Sequence, residues 1–166
     1  MKNFYRSVIL IIAFTVSFSN VLAQKIDKKT EALTKDINTF MDQWHKDAAN
    51  ADTIFFDKMA PNGIYIGTDK TEIWKRDEFK KWAKPFFLRK SAWNFKATQR
   101  NVYFSDDKKY AWFDEQLDTW MGVCQSSGVL KRKGKTWEIE HYQLSVTLPN
   151  DVTKDFIKMV KEYEKK

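Results

Sequence analysis

The chain has 166 residues, 29 lysines and arginines against 22 acidic residues, a net charge of +7 and a hydrophobic share of 43% that includes 13 Phe, 7 Trp and 6 Tyr. That length suits one domain with one core, and so much ring area is enough to fill the core and still line a cavity. The charge is too mild for a nucleic-acid partner, gathering only at Lys131-Arg132-Lys133-Gly134-Lys135 and from Lys161 to Lys166. One cysteine, Cys124, cannot form an internal disulfide, and with two histidines the chain lacks the ligands for a structural metal site. There is no glycine-rich phosphate loop, nucleophile elbow or repeat, so no cofactor is expected.

Lys2 and Arg6 precede an uncharged apolar run from Val8 to Phe18, and Val21-Leu22-Ala23 offers the small side chains that a signal peptidase reads. That order predicts a cleavable signal peptide over residues 1–23 and export to the periplasm or beyond the cell. The run falls short of the ~20 residues that a spanning helix needs, so no membrane partner is expected after cleavage. Two positive charges, Lys2 and Arg6, leave with the signal.

The segment 24–150 then reads as a single domain, followed by an amphipathic helix over 151–166. Leu33, Ile37, Phe40, Trp44 and Ala48 recur at helical spacing and predict a long helix over 28–50. Asp52 and Thr53 cap a second short helix carrying Ile54, Phe55, Phe56 and Met59, which Pro61-Asn62-Gly63 ends. Ile64-Tyr65-Ile66 is a short strand. A third helix covers Arg76 to Lys84, with Phe79, Trp82 and Ala83 on one side and Pro85 as its stop.

From Ala92 the period changes to two. Trp93, Phe95 and Ala97 alternate with polar residues, and Val102 and Phe104 take the opposite phase, which predicts a bulge near Gln99. Three more strands follow over 110–120, 123–132 and 136–148, the last two joined by a tight turn at Lys133-Gly134-Lys135. Val152, Phe156, Met159, Val160 and Tyr163 form the stripe of the terminal helix. Helices followed by hairpin strands define an α+β domain.

This order resembles the nuclear-transport-factor-2-like, or SnoaL-like, superfamily. The motifs that carry the resemblance are Trp44-His45-xx-Ala48-Ala49-xx-Asp52, Gly63-xxx-Gly67-Thr68-Asp69-xx-Glu72-x-Trp74, Ala111-Trp112-Phe113-Asp114-Glu115-x-Leu117, Gly128-Val129-Leu130 and Trp137-x-Ile139. The resemblance implies a curved antiparallel sheet wrapped around a long N-terminal helix, with a pocket at the open end and a C-terminal helix. It implies little about activity, because the fold carries isomerases, dehydratases, cyclases, hydrolases and domains without a reaction. The ketosteroid-isomerase branch uses a carboxylate base and a tyrosine paired with a protonated aspartic acid. Ile64-Tyr65-Ile66 holds no carboxylate, so that activity is not carried over.

Candidate catalytic residues are His45, at the margin of the first helix's stripe, Asp114, Glu115 and His141. Alternation puts Glu115 with Ala111, Phe113 and Leu117 on the apolar strand face, and Asp114 with Trp112 on the other. A buried Glu115 needs a partner, for which Arg100 is the natural candidate, either as a structural brace or beside catalysis. His141 shares a face with Trp137, Ile139, Gln143 and Ser145. Trp44, Tyr65, Trp74, Trp93 and Trp112 are either core or a ligand cage. The expected function is binding of a small apolar molecule between the first helix and the sheet, bordered by Trp44, His45, Tyr65, Trp112, Glu115 and Arg100. The alternatives are an acid/base isomerase or hydrolase on the same pocket and a non-catalytic homodimer module.

Overall fold

The computed structural model describes residues 28–165, so the expected signal peptide lies outside them. The chain divides between Thr39 and Phe40 into two units. In the first, residues 28–39 are helical; Leu33 and Ile37 are buried, and the hydroxyls of Thr34 and Thr39 donate to the carbonyls of Thr30 and Lys35. The helix (α1, 28–49) continues into the second unit, to which everything below belongs.

After α1 come α2 (Ile54–Asp57), β1 (Met59–Ile66), β2 (Ile73–Lys75), α3 (Arg76–Phe87), β3 (Lys96–Phe104), β4 (Tyr110–Thr119), β5 (Gly122–Lys133), β6 (Thr136–Val146) and α4 (Thr153–Tyr163). The strands form one six-stranded sheet in the order β2-β1-β6-β5-β4-β3. Four of its pairings are antiparallel, and β1 joins β6 in parallel. Ala111, Phe113, Glu115 and Leu117 alternate inward along β4, as its sequence pattern requires. Their layer meets Trp44 of α1, which packs edge-on against Tyr142 of β6 at 4.7 Å.

Several boundaries differ from the sequence reading for identifiable reasons. Pro61-Asn62-Gly63 does not end a helix but lies inside β1, where the β1–β6 register shifts between Met59 and Ile64. The bulge tolerates a proline that lacks a ladder donor. A Cβ at Gly63 would stand 2.7 Å from the Ile139 carbonyl oxygen, so the chains approach there as only glycine allows. Pro85 lies within α3, which runs on to bury Phe87 against Phe56 at 4.6 Å. That burial offsets the ~3 kcal/mol cost of an interior proline. β3 begins at Lys96, leaving Trp93 and Phe95 in the preceding loop, and its bulge falls between Ala97 and Gln99.

β6 carries the correction that matters most. Its register with β5 shifts between Val129 and Leu130, so Trp137 and Ile139 point inward but so do Tyr142 and Leu144. The phase change turns His141 to the opposite face from Trp137 and Ile139, beside Gln143 and Ser145. α4 forms as expected, but its stripe of Phe156, Met159, Val160 and Tyr163 is exposed, and its end pairs through Glu164 with Lys70. Among the described residues no helix is long and apolar enough to cross a membrane.

Candidate functional site

Two groupings stand out on the inner side of the sheet. The first is a buried polar network. Glu115 is 1% exposed, and its Oε1 accepts hydrogen bonds from His45 Nε2 at 2.9 Å and Ser126 Oγ at 2.8 Å. Its Oε2 accepts from Arg100 Nε at 2.8 Å, and Arg100 Nη1 reaches Asp42 Oδ1 at 2.9 Å. Burial pushes the Glu115 carboxyl up, but the hydrogen bond and charge of His45, with Arg100 and Ser126, hold it below the ordinary glutamate value. The network joins α1, β3, β4 and β5. Both carboxylate oxygens are occupied, which is the arrangement of a brace.

His45 also faces a separate cleft of about 380 Å³, lined by Asp42, Lys46, Asn94, Phe95 and Lys96. Among the described residues no group of three His, Cys, Asp or Glu side chains is placed to hold a metal ion.

The second grouping is an aromatic cavity of about 450 Å³ whose lining includes Tyr65, Trp74, Phe79, Trp82, Phe86, Trp93 and Phe95, together with Trp120, Met121 and Leu144. Phe79 is its hub. Tyr65 stacks on it at 3.8 Å and 16°, and Trp74, Trp82 and Trp93 lie 5.5 to 6.0 Å away with planes within 30° of its own. Trp82 in turn packs tilted against Phe86, with ring centres 5.1 Å apart. The loop with Trp93 and Phe95 is fixed by the Ala92 N–H, which donates to the Ala48 carbonyl at 3.2 Å. Trp120 sits in the β4–β5 turn, where Thr119 Oγ1 accepts from the Met121 N–H and donates to the Gly122 carbonyl. Burial, and then the charge of Glu72, raises the Tyr65 phenol well above its ordinary pKa, so it stays neutral.

The expected border residues therefore separate. Tyr65 lines the aromatic cavity, while His45, Arg100 and Glu115 form the polar network. Trp44 is core: it is 1% exposed, stacks on Phe55 at 4.5 Å and donates its indole N–H to the Phe55 carbonyl at 3.0 Å. Trp112 is on the outer sheet face, 47% exposed, with its plane within 17° of Tyr103. No bulge in β4 brings it inside, because its pairing with β5 runs unbroken from Tyr110 to Thr119. Asp114 is outside too, accepting from Asn101 Nδ2 at 2.8 Å. Cys124 is buried, 3.5 Å from Thr119 Oγ1.

Trp82, Phe86 and Arg89 were missed as wall residues. Their spacing of four and three marks one helical face, a signal hidden by reading Pro85 as the helix stop.

A family model described as a SnoaL-like domain matches residues 37–149. No curated protein sequence matches the chain. Among solved structures it is similar to an NTF2-like protein of unknown function from Pseudomonas putida KT2440, with a TM-score of 0.60 and 12% identity over 74% of this chain and 92% of that one. It is also similar to a candidate scytalone dehydratase from Novosphingobium aromaticivorans, with a TM-score of 0.58 and 9% identity over 72% and 87%. The association domain of C. elegans CaMKII matches with a TM-score of 0.55 and 15% identity over 70% and 97%. At these identities the likeness is one of fold.

Proposed function

This chain belongs to the SnoaL-like domain family, and from that premise we propose that it binds a small, largely apolar, flat organic molecule in the aromatic cavity. The observation that carries the reading is the set of near-parallel ring planes around Phe79. A cavity walled by parallel rings accepts another flat ring system by offset stacking, and excludes water from both of its faces. The similar structure named for a scytalone dehydratase is in keeping with a small-molecule role. Export is part of this proposal and rests on the basic, apolar and small residues of 1–23.

2-Naphthalenemethanol should quench tryptophan emission and raise the melting temperature by mass action. Trp74→Ala and Trp82→Ala should each remove most of both effects; Trp82 is 41% exposed, so its truncation leaves the fold in place. Undiminished binding in both variants would place the site elsewhere.

A second reading, self-association through the outer sheet face, is favoured by the Tyr103–Trp112 pair, whose rings are 45% and 47% exposed. Sedimentation should then show a dimer that Trp112→Asp dissociates; a monomeric parent would end that reading.

A further inference from the structure

Among the described residues the aromatic cavity has one cation on its wall. Arg89 lies two residues beyond the end of α3, with its guanidinium 4.7 Å from the centre of the Phe86 ring. Among the described residues it makes no ion pair with an acidic side chain. The acid on the same wall, Glu72, is already engaged, since its Oε2 accepts the Asp69 N–H at 3.2 Å and crowds the position where a Gly67 Cβ would stand. The two charges on the wall are therefore not equivalent. The carboxylate serves its own turn, and among the described residues the guanidinium has no anionic partner.

A guanidinium over an aromatic ring is positioned by that contact and loses less freedom when its N–H groups engage an acceptor. Its fork matches the two coplanar oxygens of a carboxylate. A phosphate dianion calls for more cations than this wall supplies. The chain's positive net charge favours approach of an anion.

We infer that Arg89 reads an acidic group, so that the ligand of the cavity is a flat aromatic carboxylic acid with its rings among Trp74, Trp82 and Trp93. This rests on the aromatic cavity being the binding site, and it adds the charge of the ligand and the residue that selects it. Because Arg89 is exposed, its bond to the ligand competes with water and selects modestly.

The test compares 2-naphthoate with neutral 2-naphthalenemethanol by tryptophan quenching, in the full chain and in Arg89→Gln. The parent should favour the acid by about tenfold, the scale of one charge-assisted hydrogen-bonded contact. The preference should weaken with salt, and in Arg89→Gln the ratio of acid to alcohol affinity should fall to about one. Equal binding of acid and alcohol by the parent, or a preference that survives in Arg89→Gln, would overturn the role of Arg89 and leave the cavity reading standing. Binding of neither probe would overturn the cavity reading and this inference with it.

Discussion

Arg100 and Glu115 face each other across the β3–β4 register, with Nε 2.8 Å from Oε2 and side chains that are 5% and 0% exposed. The pair is the centre of a network that ties the second half of α1 to the sheet. Glu115→Gln keeps the shape and removes the charge, leaving Arg100 buried against a neutral amide. We expect a loss of about 3 kcal/mol, the scale for breaking one side of a buried ion pair. A urea midpoint equal to the parent's would show that the network is wet and contributes nothing.

The same carboxyl fixes the direction of the acid response. Glu115 is held below the ordinary glutamate value in the folded chain, so the unfolded chain binds the proton more readily. Its stabilising contribution is complete above the ordinary value of about 4.3 and is lost as pH falls from there through the depressed folded value. Urea midpoints measured from pH 6 downwards should therefore drop more steeply in the parent than in Glu115→Gln. Parallel curves would contradict this.

Trp44 and Trp82 should respond differently to truncation. Trp44→Ala removes a buried ring and its hydrogen bond to Phe55, and should cost about 3–5 kcal/mol. Trp82→Ala removes a wall residue of the cavity and should cost about 1 kcal/mol or less while removing most of the probe quenching. Comparing unfolding curves with probe titrations separates the two; equal stability of both variants would contradict the core assignment of Trp44.

Gly128 is a site of close approach. A Cβ there would meet the His141 carbonyl oxygen at 2.6 Å and the Phe113 ring at 2.7 Å. Gly128→Ala should therefore destabilise by about 1–3 kcal/mol through overpacking. A melting temperature at or above the parent's would mean that the β5–β6 backbone yields without cost.

Export makes a chemical prediction. The mature chain should have the intact mass of a species that begins at Gln24. A membrane-bound product that keeps Met1 would refute cleavage after Ala23.

The strands were legible because each buries one face: Ala111, Phe113, Glu115 and Leu117 alternate without interruption, and the phase change near Gln99 announced its bulge. Proline misled twice, at Pro61 and Pro85, because its local cost was offset by neighbours distant in the chain. His141 was misplaced because the bulge beside it shows itself only in the pairing with β5. The parallel pairing of β1 with β6 has no local signature at all. At the site, the richness in aromatic residues was plain, and Tyr65, Trp74 and Trp93 do line the cavity. Which rings face a void rather than each other depends on tertiary packing; that is why Trp44 and Trp82 could not be told apart by composition.

The parallel pairing also sets an order in time. β3 to β6 are joined by turns and can zip together locally, but β1, made before all of them, has its parallel partner only once His141 to Gln143 have been synthesised. Pairings between segments so distant in the chain are the slow steps of folding. Tyr65 of β1 and Leu144 of β6 both belong to the cavity wall, so the cavity is complete only at the end of chain growth. A chain that crosses a membrane unfolded would carry that delay as an advantage, because its sheet cannot close before nearly all of it has passed through.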